Sequence, residues 1–166
     1  MSTLLSKAMR HYERGELQPN PHGPSRFFAK VDEALADPLL DELTERCERI
    51  LRLGGVATDL VIGHIVSLIQ LGGVINRHSD ACHPSQAGYR AGYEHLRANI
   101  VMRLRCPAGR PVIEGEPLDA EEGDLWVFFV SRSLHETSTI QGTEPRVVYG
   151  WGWSVLAEHA LVSPPE

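Results

Sequence analysis

From residue 56 onward the chain is cut into short apolar runs by glycine, proline, asparagine and aspartate, and this spacing limits the fold more than any other feature of the sequence. Runs over residues 73–80, 96–106, 111–116, 125–130, 133–139 and 146–153 have strand length and turn formers at their ends. Upstream, Phe27, Phe28, Val31, Ala34, Leu35, Leu39, Leu40, Leu43, Cys47, Ile50 and Leu51 recur at steps of three and four with acidic residues between them. That periodicity predicts an amphipathic helix over residues 27–53, with Pro38 as the place where it would break and Gly54-Gly55 as its stop. A helix followed by many short strands predicts an α+β chain with a mainly β core, an antiparallel sandwich or jelly roll carrying the helix on one sheet. Residues 1–25, with Pro19, Pro21, Gly23 and Pro24, read as an N-terminal arm and connector, and residues 26–166 as one domain.

Charge and cysteine content narrow the function. The 166 residues carry 16 Lys plus Arg against 22 Asp plus Glu, a net charge of −6 with no basic block, so nucleic acid and anionic membranes are poor partners. A small-molecule substrate fits better. Cys47, Cys82 and Cys106 are odd in number and scattered, which argues against a disulfide framework or a cysteine-based zinc site and suits a reducing cytoplasm. No run has the length of a signal peptide or a membrane span.

The chemistry lies in histidines and acids on the strands. His78 and Asp80 are two residues apart on a strand-like run, a spacing that aims an imidazole and a carboxylate to one face. The pair alone would leave a metal under-coordinated, and His135 on the run at 133–139 is the candidate third ligand. Two histidines and one carboxylate form the facial triad that holds non-heme Fe(II) with open positions. Eleven residues after His135, Arg146 opens the last run, where a planar guanidinium can take a carboxylate through two bonds. Read singly, each has a plain alternative: His78 and Asp80 a surface turn, Arg146 an exposed partner of Glu144. Their order and spacing argue for the joint reading.

This set resembles the 2-oxoglutarate- and Fe(II)-dependent dioxygenases of prolyl-hydroxylase type, whose pattern is His-x-Asp, a distal His, and an Arg near the start of the final strand. Here these are His78, Asp80, His135 and Arg146, and the stretches Gly123–Phe129 and Gly142–Trp151 are family-like in context. The resemblance spans residues 74–153, about half of the chain. It implies a double-stranded β-helix, a distorted jelly roll, with His78, Asp80 and His135 on the iron and Arg146 on the distal carboxylate of 2-oxoglutarate. It also implies O2 as co-substrate, with hydroxylation of a substrate carbon coupled to release of succinate and CO2. Asp80 stands where halogenating relatives have a small residue, so halogenation is disfavoured. One departure is Val148, where many members carry a Ser or Thr that also touches the co-substrate carboxylate.

Strand parity puts Val148, Gly150 and Gly152 on the face of Arg146, leaving room inside, and sends Val147, Tyr149, Trp151 and Trp153 outward to pack on the helix. Arg97 and Asn99 share a face of the preceding strand, a place from which family members contact the keto acid. The segment after Asp80 carries Tyr89, Arg90 and Tyr93 as candidates to grip substrate. His64, in an apolar run, reads as a core histidine, and Trp126, Phe128 and Phe129 as core. The expected activity is hydroxylation of a small metabolite such as an amino acid, with a peptide side chain or a non-catalytic cupin-like module as alternatives. A homodimer using the helix or sheet surface is a further expectation.

Overall fold

A computed structural model of the chain describes residues 2–80, 91–104 and 108–158. In chain order the elements are α1 (Ser2–Glu13), β1 (Gln18–Pro19), β2 (Arg26–Lys30), α2 (Pro38–Leu53), β3 (Thr58–Ile69), β4 (Tyr93–Arg103), β5 (Pro111–Ile113), β6 (Glu116–Pro117), β7 (Leu125–Phe129), β8 (His135–Thr137) and β9 (Arg146–Leu156). A six-stranded sheet runs β1-β2-β3-β9-β4-β7 and a three-stranded sheet runs β6-β5-β8, with antiparallel pairing throughout. This is the α+β, mainly β architecture of a double-stranded β-helix. Among the described residues, no helix is long and apolar enough to cross a membrane.

The helix expected over residues 27–53 is divided. Residues before a proline avoid the helical region, and Asp37 is extended, with φ −153° and ψ 134°, so no helix can run through it into Pro38. Asp37 instead caps α2: its carboxylate accepts the Leu39 N–H, and Pro38 supplies the first helical residue, which needs no donor. Upstream, residues 26–30 form β2 against β3, with Phe27 opposite Leu68 and Ala29 opposite Val66. The three-and-four spacing of Phe27, Phe28 and Val31 concealed a period of two, in which Phe27 and Ala29 face the core. The opening residues, set apart above as an arm, carry α1, whose Leu4 and Ala8 are fully buried in that core.

The main core lies between the helices and the outer face of the large sheet. β9 contributes Val147, Tyr149, Trp151, Trp153 and Val155, and β4 contributes Leu96, Ala98, Ile100 and Met102. Polar atoms at its edge are satisfied across elements: the Trp153 indole donates to Glu48 at 2.9 Å, the Tyr149 hydroxyl to the Leu4 carbonyl at 3.3 Å, and Lys7 pairs with Asp37 at 3.2 Å. His64 fits its reading as a core histidine, with Nε2 2.9 Å from the Thr44 hydroxyl of α2.

The inner face of β9 is small by necessity. Gly152 lies opposite Arg97, and a Cβ there would meet the Leu96 carbonyl at 2.6 Å and the His95 ring. Gly152→Ala is therefore expected to lower stability by about 1–3 kcal/mol through overpacking, measured by urea unfolding.

Candidate active site

The candidate ligands sit on backbone stitched from both sides. Residues 73–80 form no regular strand, yet they run along β8: His78 N–H donates to the His135 carbonyl at 3.1 Å, His135 N–H to the His78 carbonyl at 2.8 Å, and Thr137 N–H to the Ile75 carbonyl at 3.2 Å. Asp80 N–H donates to the Val130 carbonyl at 2.8 Å. On the other flank, Asn76 N–H donates to the His22 carbonyl at 2.8 Å, and Gly23 lies so close to the Val74 carbonyl that no side chain fits. The alternation expected of a strand is replaced by this single bridge between His78 and His135, which still brings His78 and Asp80 together.

The two imidazoles are held in one tautomer. Nδ1 of His78 lies 2.6 Å from the Asn76 carbonyl and Nδ1 of His135 lies 3.1 Å from the Ser133 carbonyl. A carbonyl can only accept, so Nδ1 carries a proton in both rings, and Nε2 is the position that a neutral ring would offer to a cation; in His78 it faces Asp80. The rings are 4.3 Å apart between centroids. Asp80 Oδ1 is 3.4 Å from His78 Nε2, and its Oδ2 takes Arg97 Nη1 at 2.7 Å. Burial opposes ionising Asp80, but the His78 hydrogen bond and the Arg97 and His135 charges outweigh it and hold the carboxyl well below the usual carboxylate range. The bond to Asp80 raises the His78 pKa, whereas burial lowers that of His135.

Behind this cluster a cavity opens between the sheets, lined by His135, Arg97, Asn99, Trp126, Phe128 and Arg146. Arg146 is buried, and its Nε has no hydrogen-bond partner among the described residues. Burial, with the charge of nearby Arg26, pushes its pKa down to about 9. Val148 also lines the cavity, opposite Ser67 of β3. Trp126 and Phe128, read as core, face this cavity, while Phe129 packs on the helix-side core.

His135, Arg97, Asn99 and Arg146 thus line the cavity, and His78 and Asp80 adjoin it through their contacts with His135 and Arg97. Tyr93 opens β4 opposite Leu156. Tyr89 and Arg90, with Cys82 and His83, lie outside the described residues. Sequence reasoning missed His22, Arg26 and Ser67. The ligand atoms of His22, His78 and Asp80 lie within 4.8 Å of one another, and the His22 ring stacks on His78 at 4.3 Å. Arg26 and Ser67 line the cavity. His95 is held neutral by burial and by the Arg97 charge, its pKa pushed down to about 4. A strand reading of residues 26–30 would have turned Arg26 inward; nothing local marks His22.

No protein-family profile matches the sequence, and no curated protein matches it. Solved structures do. The chain is similar to a Pseudomonas putida prolyl-4-hydroxylase, with TM-score 0.66 and 19% identity over 91% of this chain and 84% of that one. It is similar to a Trichoplax adhaerens prolyl hydroxylase bound to a peptide fragment of the hypoxia inducible factor oxygen degradation domain, with TM-score 0.69 and 15% identity over 98% and 81%. It is also similar to HygX from Streptomyces hygroscopicus with nickel, 2-oxoglutarate and hygromycin B bound, with TM-score 0.55 and 12% identity over 91% and 78%. At these identities the likeness establishes the fold, the double-stranded β-helix expected from the sequence.

Neutral burial of His95 ties stability to pH. Its folded pKa, about 4, lies below the 6.5 of a free imidazole, so the unfolded chain takes up the proton first and stability falls as pH drops between these values. His64 acts in the same sense and His78 in the opposite one, so the comparison must be with a variant. In metal-free protein, urea unfolding at pH 7 and pH 5 should show wild type losing about 1–2 kcal/mol more than His95→Gln.

Proposed function

We propose that the protein is an Fe(II)- and 2-oxoglutarate-dependent dioxygenase. The observation that carries this reading is two imidazoles anchored through Nδ1 on backbone carbonyls beside the Asp80 carboxylate, next to a cavity lined by His135 and by a buried guanidinium whose Nε has no partner among the described residues. The donor set suits the metal, since two neutral nitrogens and one anion leave positions open on Fe(II). It suits the co-substrate as well, because a buried unpaired cation calls for an anion. His78, Asp80 and His135 would hold the iron. When bound, iron with 2-oxoglutarate and O2 supplies oxidative decarboxylation to succinate and CO2, coupled to hydroxylation of a substrate carbon.

The chain's own residues prepare that chemistry. The carbonyls of Asn76 and Ser133 fix the rings, and Arg97 engages Asp80 Oδ2 while Oδ1 stays on the side of His78. Asn99, whose amide oxygen sits where a side chain at Gly150 would otherwise lie, lines the cavity and would contact the keto acid. Trp126, Phe128 and Val148 keep the cavity apolar between its polar ends, excluding water from the reacting groups.

For the substrate we take a small metabolite with an unactivated carbon, such as an amino acid. A second reading, a peptide side chain, is favoured by the likeness to the peptide-bound prolyl hydroxylase. The two separate on whether free amino acids or short proline-containing peptides accelerate 2-oxoglutarate consumption.

Anaerobic titration of the Fe(II)-loaded protein with 2-oxoglutarate should produce the weak visible charge-transfer band of a chelated keto acid. Arg146→Ala should need about 10- to 100-fold more co-substrate to reach the same band. Asp80→Ala, lacking the one anionic ligand, should bind iron weakly and form no succinate. Iron bound without a band in wild type would instead indicate a non-catalytic metal-binding module.

A further inference from the structure

Arg146 is not the sole buried cation at the end of the cavity. Arg26 of β2 lies opposite Ile69 of β3, and Ile69 lies opposite Arg146 of β9, so the two arginines occupy one row across three strands and point to the same face. Both line the cavity, with Ser67 beside them. Arg26 is 9% exposed and Arg146 4%. Neither has a carboxylate partner among the described residues: Arg26 donates to two neutral oxygens, Ser67 Oγ at 3.3 Å and Asn20 Oδ1 at 3.1 Å, and Arg146 Nε donates to none. Glu136, which lines the same cavity, pairs with neither, and Arg97 is already engaged by Asp80.

Two desolvated like charges in one cavity are costly, and a cation left unpaired at depth is costlier than the same cation paired. Burial weakens the hold of both guanidiniums on their protons, helped at Arg26 by the charge of Arg97 and at Arg146 by the charge of Arg26. Ser67 faces Val148 across the β3–β9 ladder, which puts a hydroxyl on the neighbouring strand at the level where Val148 has none.

We propose that Arg26 and Ser67 form the second half of an anion clamp, so that the distal carboxylate of the 2-oxo acid is gripped between the guanidiniums of Arg146 and Arg26, with the Ser67 hydroxyl standing in for the one missing at Val148. This rests on the co-substrate reading above and adds to it a residue from β2 that sets specificity. Its consequence is strong discrimination by chain end. A 2-oxo diacid satisfies both cations, whereas a 2-oxo acid of equal length ending in a methyl group leaves both unpaired in the cavity.

The test is calorimetric titration of Mn(II)-loaded protein with 2-oxoglutarate and with 2-oxopentanoate, which has the same five carbons but no distal carboxylate. Wild type should prefer 2-oxoglutarate. Arg26→Gln should bind 2-oxoglutarate about 10- to 100-fold more weakly and 2-oxopentanoate unchanged, and Arg26→Lys should recover part of the loss. Ser67→Ala, which keeps both charges, should lose about 3- to 10-fold for the diacid alone and serves if Arg26→Gln fails to fold. Diacid binding unchanged in Arg26→Gln, or an equal loss for both acids as a merely structural role would give, overturns the clamp and leaves the co-substrate reading standing. Wild type that binds neither acid overturns both.

Discussion

Strand β9 is buried on both faces, from Arg146 to Val155, and the arrangement of the molecule depends on how its side chains alternate. It lies between β3 and β4 in the large sheet, so each of its residues must suit two neighbours as well as its own face. Outward it presents Val147, Tyr149, Trp151 and Trp153 to the helices, and inward Arg146, Val148 and Gly150 to the cavity and Gly152 to His95. A one-residue slip would put aromatics into the cavity and a guanidinium into the core. The same alternation that closes the core therefore opens the site, and stability and site geometry cannot be varied independently along this strand.

The cavity is polar at both ends and its charges are arranged unequally. At the mouth, Asp80 is balanced by Arg97 and stays ionised, while burial lowers the pKa of His135. At the far end Arg26 and Arg146 have no anionic partner among the described residues. Between them lie Trp126 and Phe128, which lower the local dielectric and strengthen whatever electrostatic interactions a bound ion or acid makes. A site held this way is pre-organised by β-sheet backbone, because His78 and His135 exchange backbone hydrogen bonds and each ring is oriented by a carbonyl two residues before it.

Legibility in the sequence followed the range of the interactions. The strands from β4 to β9 were readable because turn residues bound them and their apolar runs are short, and the parity of β9 correctly separated its two faces. His78, Asp80 and His135 could be singled out as candidates because their spacing is local or follows the strand order. Residues 27–53 were misread because Phe27, Phe28 and Val31 fit both a helical and an alternating template, and only pairing with β3 decides between them. His22 and Arg26 were missed for a related reason: their roles come from neighbours more than forty residues away, His78 and Ser67.

The sequence by itself determined a mainly β chain with a helical cover, the outward aromatics and inward small residues of its last strand, and the chemical identity of the candidate ligand set. These depend on periodicity, turn chemistry and residue type, which are properties of short segments. Only the tertiary structure decided that β2 is a strand, that α1 belongs to the core, that Arg97 engages Asp80, and that Arg26 shares a buried row with Arg146 while Ser67 lines the same cavity. Those outcomes are set by which strands become neighbours, and neighbour choice is a global solution to burying both faces of β9 at once.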